Sequence, residues 1–446
     1  MIAGLSRRNE RFGSGTPMTL FILVLFNISK IGFLGYLSDY ILVKIAGIKK
    51  NDNFSFAVGL LLYTKHQHQR ANDLFSEIHN FGNLTPRALY LVSICASWQM
   101  NLNILTRVKL ESSYDSIKLF VSGLILHNSS PDEFIDVFAR VYGSYLMEHP
   151  GDTERNNLPE YVRNSINVSK PLSQSLISQA SNGLLRLLER VNTNYAALPS
   201  GVSDLILISY TSSYLFALSD MVIGRIRKHH NQTIHLIISI SQFENITSVL
   251  AFSESLSLKY GNVFWDVVVS HFDLPVLSSV IRLVIAQELF EAHHAKSILI
   301  LDGDTSFIKV DPVQVWEDIG RDFDIALLQN ESLCPWERMS LGFTILNDTE
   351  NTREFLLRFD SYVTAHFQDN RAFWTIDQTA ASLVLQAMKQ SNQDLSKAAT
   401  KIFDLASLVS LQDFIFTDKS LVNLKLGAKV SNRDFVAGMA ETLYLP

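Results

Sequence analysis

Cysteine is nearly absent: Cys95 and Cys334 are the only two in 446 residues. Nothing in two distant thiols suggests a disulfide framework or a cysteine-built metal site, so a reducing compartment is expected. An excess of positive charge is missing too. The net charge of −6 argues against broad nucleic-acid binding, although it leaves room for local basic patches. A disorder-prone composition is also lacking, with 47% of residues apolar and 18% charged. At this length the chain can form two or three domains with sizeable cores.

A long uninterrupted apolar run is the fourth absence. Leu20 to Phe26 is apolar, but Asn27, Ser29 and Lys30 end the run after seven residues, where a spanning helix needs ~20. Arg7, Arg8 and Arg11 precede it, as in a signal or anchor. Extending it through Ile31 to Leu37 supplies the length only by placing Lys30 inside the membrane, which is costly. Residues 1–50 are therefore expected to form an apolar helix that packs on the next domain or lies on a membrane surface, with a spanning anchor as the alternative. The expected location is cytoplasmic, with membrane-surface association through this segment as an alternative. Asn167, Asn231 and Asn245 open Asn-X-Ser/Thr triplets that matter only in a secreted protein.

Residues 51–199 are assigned to a helical domain and a linker. The stretch from Asn53 to Pro150 breaks into helical segments at Asn, Pro and Ser punctuation. Gly59, Ala71 and Phe75, at offsets of twelve and sixteen, are similar to the small-and-aromatic spacing of a tetratricopeptide repeat, in which small residues let two helices approach. Leu62 and Tyr63 compete for the aromatic position, Pro86 comes late and no second copy stands thirty-four residues on. An ordinary helical domain is the alternative. The polar stretch GDTERNNLPE, a helix around Leu172 to Leu188 and a loose segment from Asn192 to Gly201 make up the linker.

Residues 200–446 carry a different pattern. Short apolar runs at Asp204 to Ser209, Thr233 to Ile240, Phe264 to Val269 and Ser297 to Leu301 alternate with helical stretches at Tyr214 to Lys228, Ile246 to Tyr260 and Ser278 to Ala292. This alternation implies an α/β domain with a mostly parallel sheet covered by helices on both faces. In such sheets ligands bind beyond the C-terminal strand ends, where Tyr210-Thr211 and Asp302-Gly303-Asp304 fall.

Asp302 and Asp304 are two apart, so in an extended chain their carboxylates share a face, and Gly303 between them permits a bend and a close ligand approach. Paired hard oxygens suit Mg²⁺ or Mn²⁺, with positions left over for diphosphate oxygens. A solvated turn is the plain alternative for an isolated Asp-Gly-Asp.

Arg282 on an apolar helix, Ile298 to Thr305, Val310-Asp311-Pro312 and Trp316 resemble, in this order, the central block of a GT-A nucleotide-sugar glycosyltransferase. Leu341 to Asn347 resembles that family's following strand, and Phe373-Trp374-Thr375-Ile376-Asp377-Gln378 its W-x-x-D-Q block. The likeness covers about residues 204–390. It implies a nucleotide-sugar donor held through Mn²⁺ or Mg²⁺ by Asp302 and Asp304, a base near the end of the first strand at Tyr210 and Thr211, and an unidentified glycan, lipid or protein acceptor. Gly303 and Gly342 would admit the donor, and Trp374 would form an apolar wall for a sugar. Asp377 and Gln378 take the catalytic place in this likeness. Arg282 is suited to a phosphate or carboxylate, or to an ion pair with the Asp-Gly-Asp turn itself. Helix capping is the alternative for Asp377, which precedes an expected helix from Thr379 to Met388, and a strand bulge is the alternative for Gly342. Lys429, in Leu426-Gly427-Ala428-Lys429, and Arg433 are similar to a late segment that closes over the diphosphate in some relatives, and a solvated basic loop is their alternative. The histidine often found there as a third metal ligand is missing.

Two other classes compete. An apolar strand followed by D-x-D also opens the site of Mg²⁺-dependent phosphohydrolases with an aspartate nucleophile. Here Ser306 follows Thr305, the strand is fourth in its domain and no later paired-aspartate block stands out. The third class is a helical-repeat interaction protein with an inactive transferase-like domain.

Overall fold

The computed structural model describes residues 52–64, 67–127, 131–152, 158–169, 183–191, 198, 202–305, 310–330, 332–370, 372, 375–391 and 400–407. The apolar segment of residues 1–50, Phe373, Trp374, Lys429 and Arg433 lie outside them. Among the described residues no helix is long and apolar enough to cross a membrane. The described residues divide into two compact units, one within 52–165 with 332–334, the other within 166–330 with 335–407.

The first unit is helical. Its described elements are α1 (Asp52–Thr64), α2 (His68–Ser76), α3 (Pro86–Trp98), α4 (Leu102–Glu111), α5 (Asp115–Leu126), α6 (Pro131–Glu148) and α7 (Glu160–Val168), whose last residues fall in the second unit. The local signals are ordinary ones. Thr85 caps α3 by accepting from the Ala88 N–H, with Pro86 in the first turn where a missing N–H costs nothing, and Asn101 caps α4. Gly59 of α1 lies against the ring of Phe75 in α2, so close that a Cβ would overlap it. Gly123 of α5 meets the Phe138 ring of α6 in the same way, with ring carbons 2.7 to 2.8 Å from an added Cβ. A small residue under an aromatic ring thus recurs in two helix pairs.

The second unit holds one eight-stranded sheet, in the order β1-β4-β3-β2-β5-β7-β6-β8. The strands are β1 (Glu189–Arg190), β2 (Asp204–Thr211), β3 (Thr233–Ser241), β4 (Val263–Ser270), β5 (Ser297–Asp302), β6 (Ile325–Gln329), β7 (Met339–Asn347) and β8 (Ile402–Asp404). β2 to β5 run parallel. β1 is antiparallel to β4, and β7 is antiparallel to both neighbours, β5 and β6. The sheet is therefore mixed, which corrects the expected mostly parallel one. An apolar run marks a buried strand but carries no sign of its direction. The helix expected around Leu172 to Leu188 is corrected in its described part, where Leu184–Leu187 form a 3₁₀ turn; the strand Glu189–Arg190 follows it.

The helices are α8 (Ser212–His229), α9 (Ile246–Tyr260), α10 (Leu274–His293), α11 (Pro312–Ile319), α12 (Glu350–Gln368) and α13 (Ile376–Ser391). Alternation along β2 sorts them into two layers. Ile206, Ile208 and Tyr210 join the core made with Leu215 and Val222 of α8, Val249 of α9 and Trp316 of α11. Ser209 points to the other face, where its hydroxyl donates to the Ser278 carbonyl of α10 at 2.5 Å. α12 and α13 pack beside α10. Burying this many Leu, Ile and Val side chains, at about 1.5–3 kcal/mol each, provides the main stabilisation of the unit.

Candidate active site

Between β2 and β5 the strand order reverses, because β2 leads to β3 on one side and pairs with β5 on the other. A crevice at the C-terminal ends of such strands is the ligand position of open α/β sheets. Ser209 and Asp302 are register partners there. Asp302 consequently points, like Ser209, to the α10 face.

The Asp302-Gly303-Asp304-Thr305 segment is a tight turn. The Thr305 N–H donates to the Asp302 carbonyl at 3.0 Å, and its hydroxyl donates to the same oxygen at 2.7 Å. Gly303 is required by a close approach: an added Cβ would lie 2.5 and 2.6 Å from ring carbons of Tyr210 and 2.8 Å from the Ser209 carbonyl oxygen. Antiparallel β7 brings its beginning beside the end of β5, with Phe343 opposite Leu301. Gly342 then lies under Asp302, whose carboxylate would overlap any Cβ added there. The glycine makes room for a protein carboxylate.

Arg282 links the parts. Its Nη1 forms an ion pair with Asp302 Oδ1, and its Nη2 lies 3.5 Å from Asp377 Oδ2. Of the three side chains Asp302 is 47% exposed, whereas Arg282 and Asp377 are buried, at 4% and 6%. Burial works against the Arg282 charge, but Asp302, Asp377 and Asp304 outweigh it and hold the guanidinium above its ordinary pKa. Burial pushes the Asp377 carboxyl up to about 6, while Arg282 and the Gln378 N–H pull it down. Asp377 lies in the first turn of α13, which begins at Ile376, three residues before the expected start. It is thus both a helix-terminal carboxylate and a partner of Arg282.

Thr375, just before this turn, has φ +74°, a value that β-branched residues rarely adopt. Its carbonyl accepts from the Thr379 N–H and hydroxyl, both at 3.0 Å. Gln378, with its amide nitrogen turned toward them, donates to the carbonyls of Trp336 at 2.6 Å and Met339 at 3.0 Å.

On the other face of β5, Tyr210 is buried, and its hydroxyl has no hydrogen-bond partner among the described residues. Burial, and after it the Asp304 charge, push that hydroxyl far above its ordinary pKa. Tyr214, absent from the sequence-based candidates, is raised by burial and by both Asp304 and Asp302. Its signal was faint: a tyrosine in the first turn after the β2 tip. Thr211 is buried, and its hydroxyl lies 3.2 Å from that of Ser213. The structure thus gathers Tyr210, Arg282, Asp302, Gly303, Asp304, Gly342 and Asp377 around one turn. Gln378 adjoins it and faces the chain leading into β7. Among the described residues no group of three His, Cys, Asp or Glu side chains could hold a metal ion. Asp302, half exposed, and Asp304 offer hard carboxylate oxygens of the type that Mg²⁺ or Mn²⁺ takes as ligands.

No family model and no curated protein sequence matches the chain. Among solved structures it is similar to the apo form of WbbM, a bifunctional glycosyltransferase, at 14% identity and a TM-score of 0.31. The match covers 48% of this chain and 40% of that one. A likeness this distant carries no argument about function, which rests on the site.

Proposed function

We propose that the second unit is a glycosyltransferase that holds a nucleotide-sugar donor through Mg²⁺ or Mn²⁺ at Asp302 and Asp304 and passes the sugar to a glycan, lipid or protein acceptor. One observation carries this reading: at the strand-order reversal, a half-exposed carboxylate, Asp302, stands at the strand tip with Asp304 two residues on in the same turn, and Arg282 holds its inner side. Asp302 and Asp377 flank Arg282, and the Asp304 charge adds to the negative field around it. Such a cluster repels a bare diphosphate and attracts a divalent cation, which in turn binds the diphosphate.

When bound, the ion would supply Lewis-acid stabilisation of the charge that develops on the leaving diphosphate. The chain's own residues do the rest. Arg282 fixes the orientation of Asp302 by its ion pair, and Gly342 leaves the space that orientation needs. Gly303 lets the turn lie against the buried Tyr210 ring, and the nucleotide is proposed to lie beyond it at the end of β2. A carboxyl with a pKa near 6 suits proton acceptance near neutral pH, and burial behind Arg282 makes the guanidinium its first partner. The ion pair also argues against the phosphohydrolase alternative, since a carboxylate held by a guanidinium is stabilised as an anion and dulled as a nucleophile.

A thermal-shift screen of nucleoside diphosphates and nucleotide sugars tests the proposal, because a ligand that binds only the folded state raises its melting temperature. Stabilisation that needs Mn²⁺ or Mg²⁺ and disappears with EDTA is the expected result. Equal stabilisation in EDTA would remove the metal from the account.

A further inference from the structure

We infer that Gln378 is a positioning residue, which together with Asp377 clamps the Asp302 carboxylate from two sides. The inference deepens the proposed function and rests on it for its metal readout. Asp377 reaches Asp302 through Arg282. Gln378 reaches it by another route, through its bonds to the Trp336 and Met339 carbonyls. Met339 begins β7, and three residues on, Gly342 lies against the Asp302 carboxylate. Two consecutive residues of one helical turn thus hold the two surfaces between which Asp302 sits.

The backbone is bent to allow this. Successive residues of a helix point ~100° apart, so Asp377 and Gln378 diverge toward α10 and β7 only if α13 starts in this rotational setting. Thr375 at φ +74° starts it abruptly, and its carbonyl still accepts from Thr379. A β-branched residue held in a left-handed conformation marks a place where the surroundings dictate the backbone. The amide nitrogen of Gln378 is committed to two main-chain oxygens of the protein, a bond pattern that serves position and not contact with a sugar.

The test uses the full chain with Gln378→Met, which keeps the volume and loses the donor. At a temperature where circular dichroism shows the variant fully folded, Mn²⁺ binding is titrated calorimetrically, and hydrogen–deuterium exchange is followed in peptides covering 302–305 and 339–343. The expected result is a Mn²⁺ dissociation constant raised about tenfold, with faster exchange in both peptides. Adding Gly342→Ala to Gln378→Met should weaken Mn²⁺ binding by much less than Gly342→Ala does in the wild type, because both act on Asp302 through β7. Unchanged Mn²⁺ affinity with only a lower Tm overturns the clamp and leaves Gln378 as a packing residue. If the wild type binds no Mn²⁺, the metal reading has failed, and exchange alone decides the clamp: faster exchange at 302–305 supports it, and unchanged exchange there overturns it.

Discussion

Helix α10 bridges two arginine-centred ion clusters, and they differ in how much of a carboxylate each leaves exposed. Near its middle, Arg282 pairs with Asp302 and Asp377 at the C-terminal strand ends. Farther along, Glu288 lies 2.9 Å from Arg190 of β1, which lies 3.3 Å from Asp266 of β4; Asp266 in turn lies 3.2 Å from His235 Nε2 of β3. The two are alike in residue type and differ in what they leave open. Asp266 is 1% exposed, whereas Asp302 is 47% exposed and stands at a strand tip. The second cluster spends its charges on joining an edge strand, the sheet and a helix. In the first, about half of the Asp302 side chain stays exposed at the strand tip. Charged residues make a site when the topology leaves one of them unfinished.

The comparison breaks most severely if the open cluster loses its carboxylates. Asp302→Asn with Asp304→Asn should abolish metal-dependent nucleotide binding in the thermal-shift screen, since the remaining groups include no pair of exposed acidic oxygens on the turn. Full retention by the double variant would place the metal elsewhere.

Damage to the closed cluster should be read in stability alone. Arg190→Met leaves Asp266 buried without its guanidinium and should cost about 2–3 kcal/mol in urea unfolding, below the full value for a buried pair because Arg190 is 28% exposed. Nucleotide affinity, measured where the variant is folded, should not change. The same pairing predicts that a fragment beginning near Ser200, which lacks β1, is less stable than one beginning at Ile166.

Gly342→Ala sharpens the comparison from inside the site. A methyl group there must displace the Asp302 carboxylate or shift β7, at a cost of about 1–3 kcal/mol. Donor binding should fall with it, and a crystal structure of the variant should show Asp302 turned from Arg282. Unchanged binding would mean that the orientation of Asp302 is unimportant.

The smallest expected effect is a pH slope. A carboxyl raised to about 6 holds its proton in the folded state at pH values where the unfolded chain has released it. This contribution favours folding at acidic pH, and it is lost as pH rises from the ordinary carboxylate range through about 6. Asp377→Asn removes the slope. The difference in Tm between the variant and the wild type should therefore change by a few degrees between pH 4 and 7. A flat difference would show that Asp377 titrates normally.

Much of this was legible in the chain, for reasons that can be named. The strand from Asp204 onward and the strand ending at Asp302 are nearly continuous apolar runs, so their burial and their charged tips follow from pattern alone. Arg282 in an otherwise apolar helix demanded a partner, and Asp302 is that partner. The direction of β7 was hidden, since an apolar run is the same read either way. Antiparallel pairing places Gly342 beneath Asp302, so the space it provides serves a side chain of the protein itself. The Arg282–Asp377 contact joins residues far apart in sequence, and Thr375 shows its unusual backbone only in three dimensions.

The central claim is that the turn at the end of β5 binds a nucleoside diphosphate through a divalent ion. The most direct test is calorimetric titration of the wild-type chain with uridine, guanosine, adenosine and cytidine diphosphates, each in Mn²⁺ and in EDTA. The account predicts saturable binding of at least one diphosphate in Mn²⁺ and none in EDTA. Binding of equal strength in both, or no binding of any of the four in Mn²⁺, would contradict it.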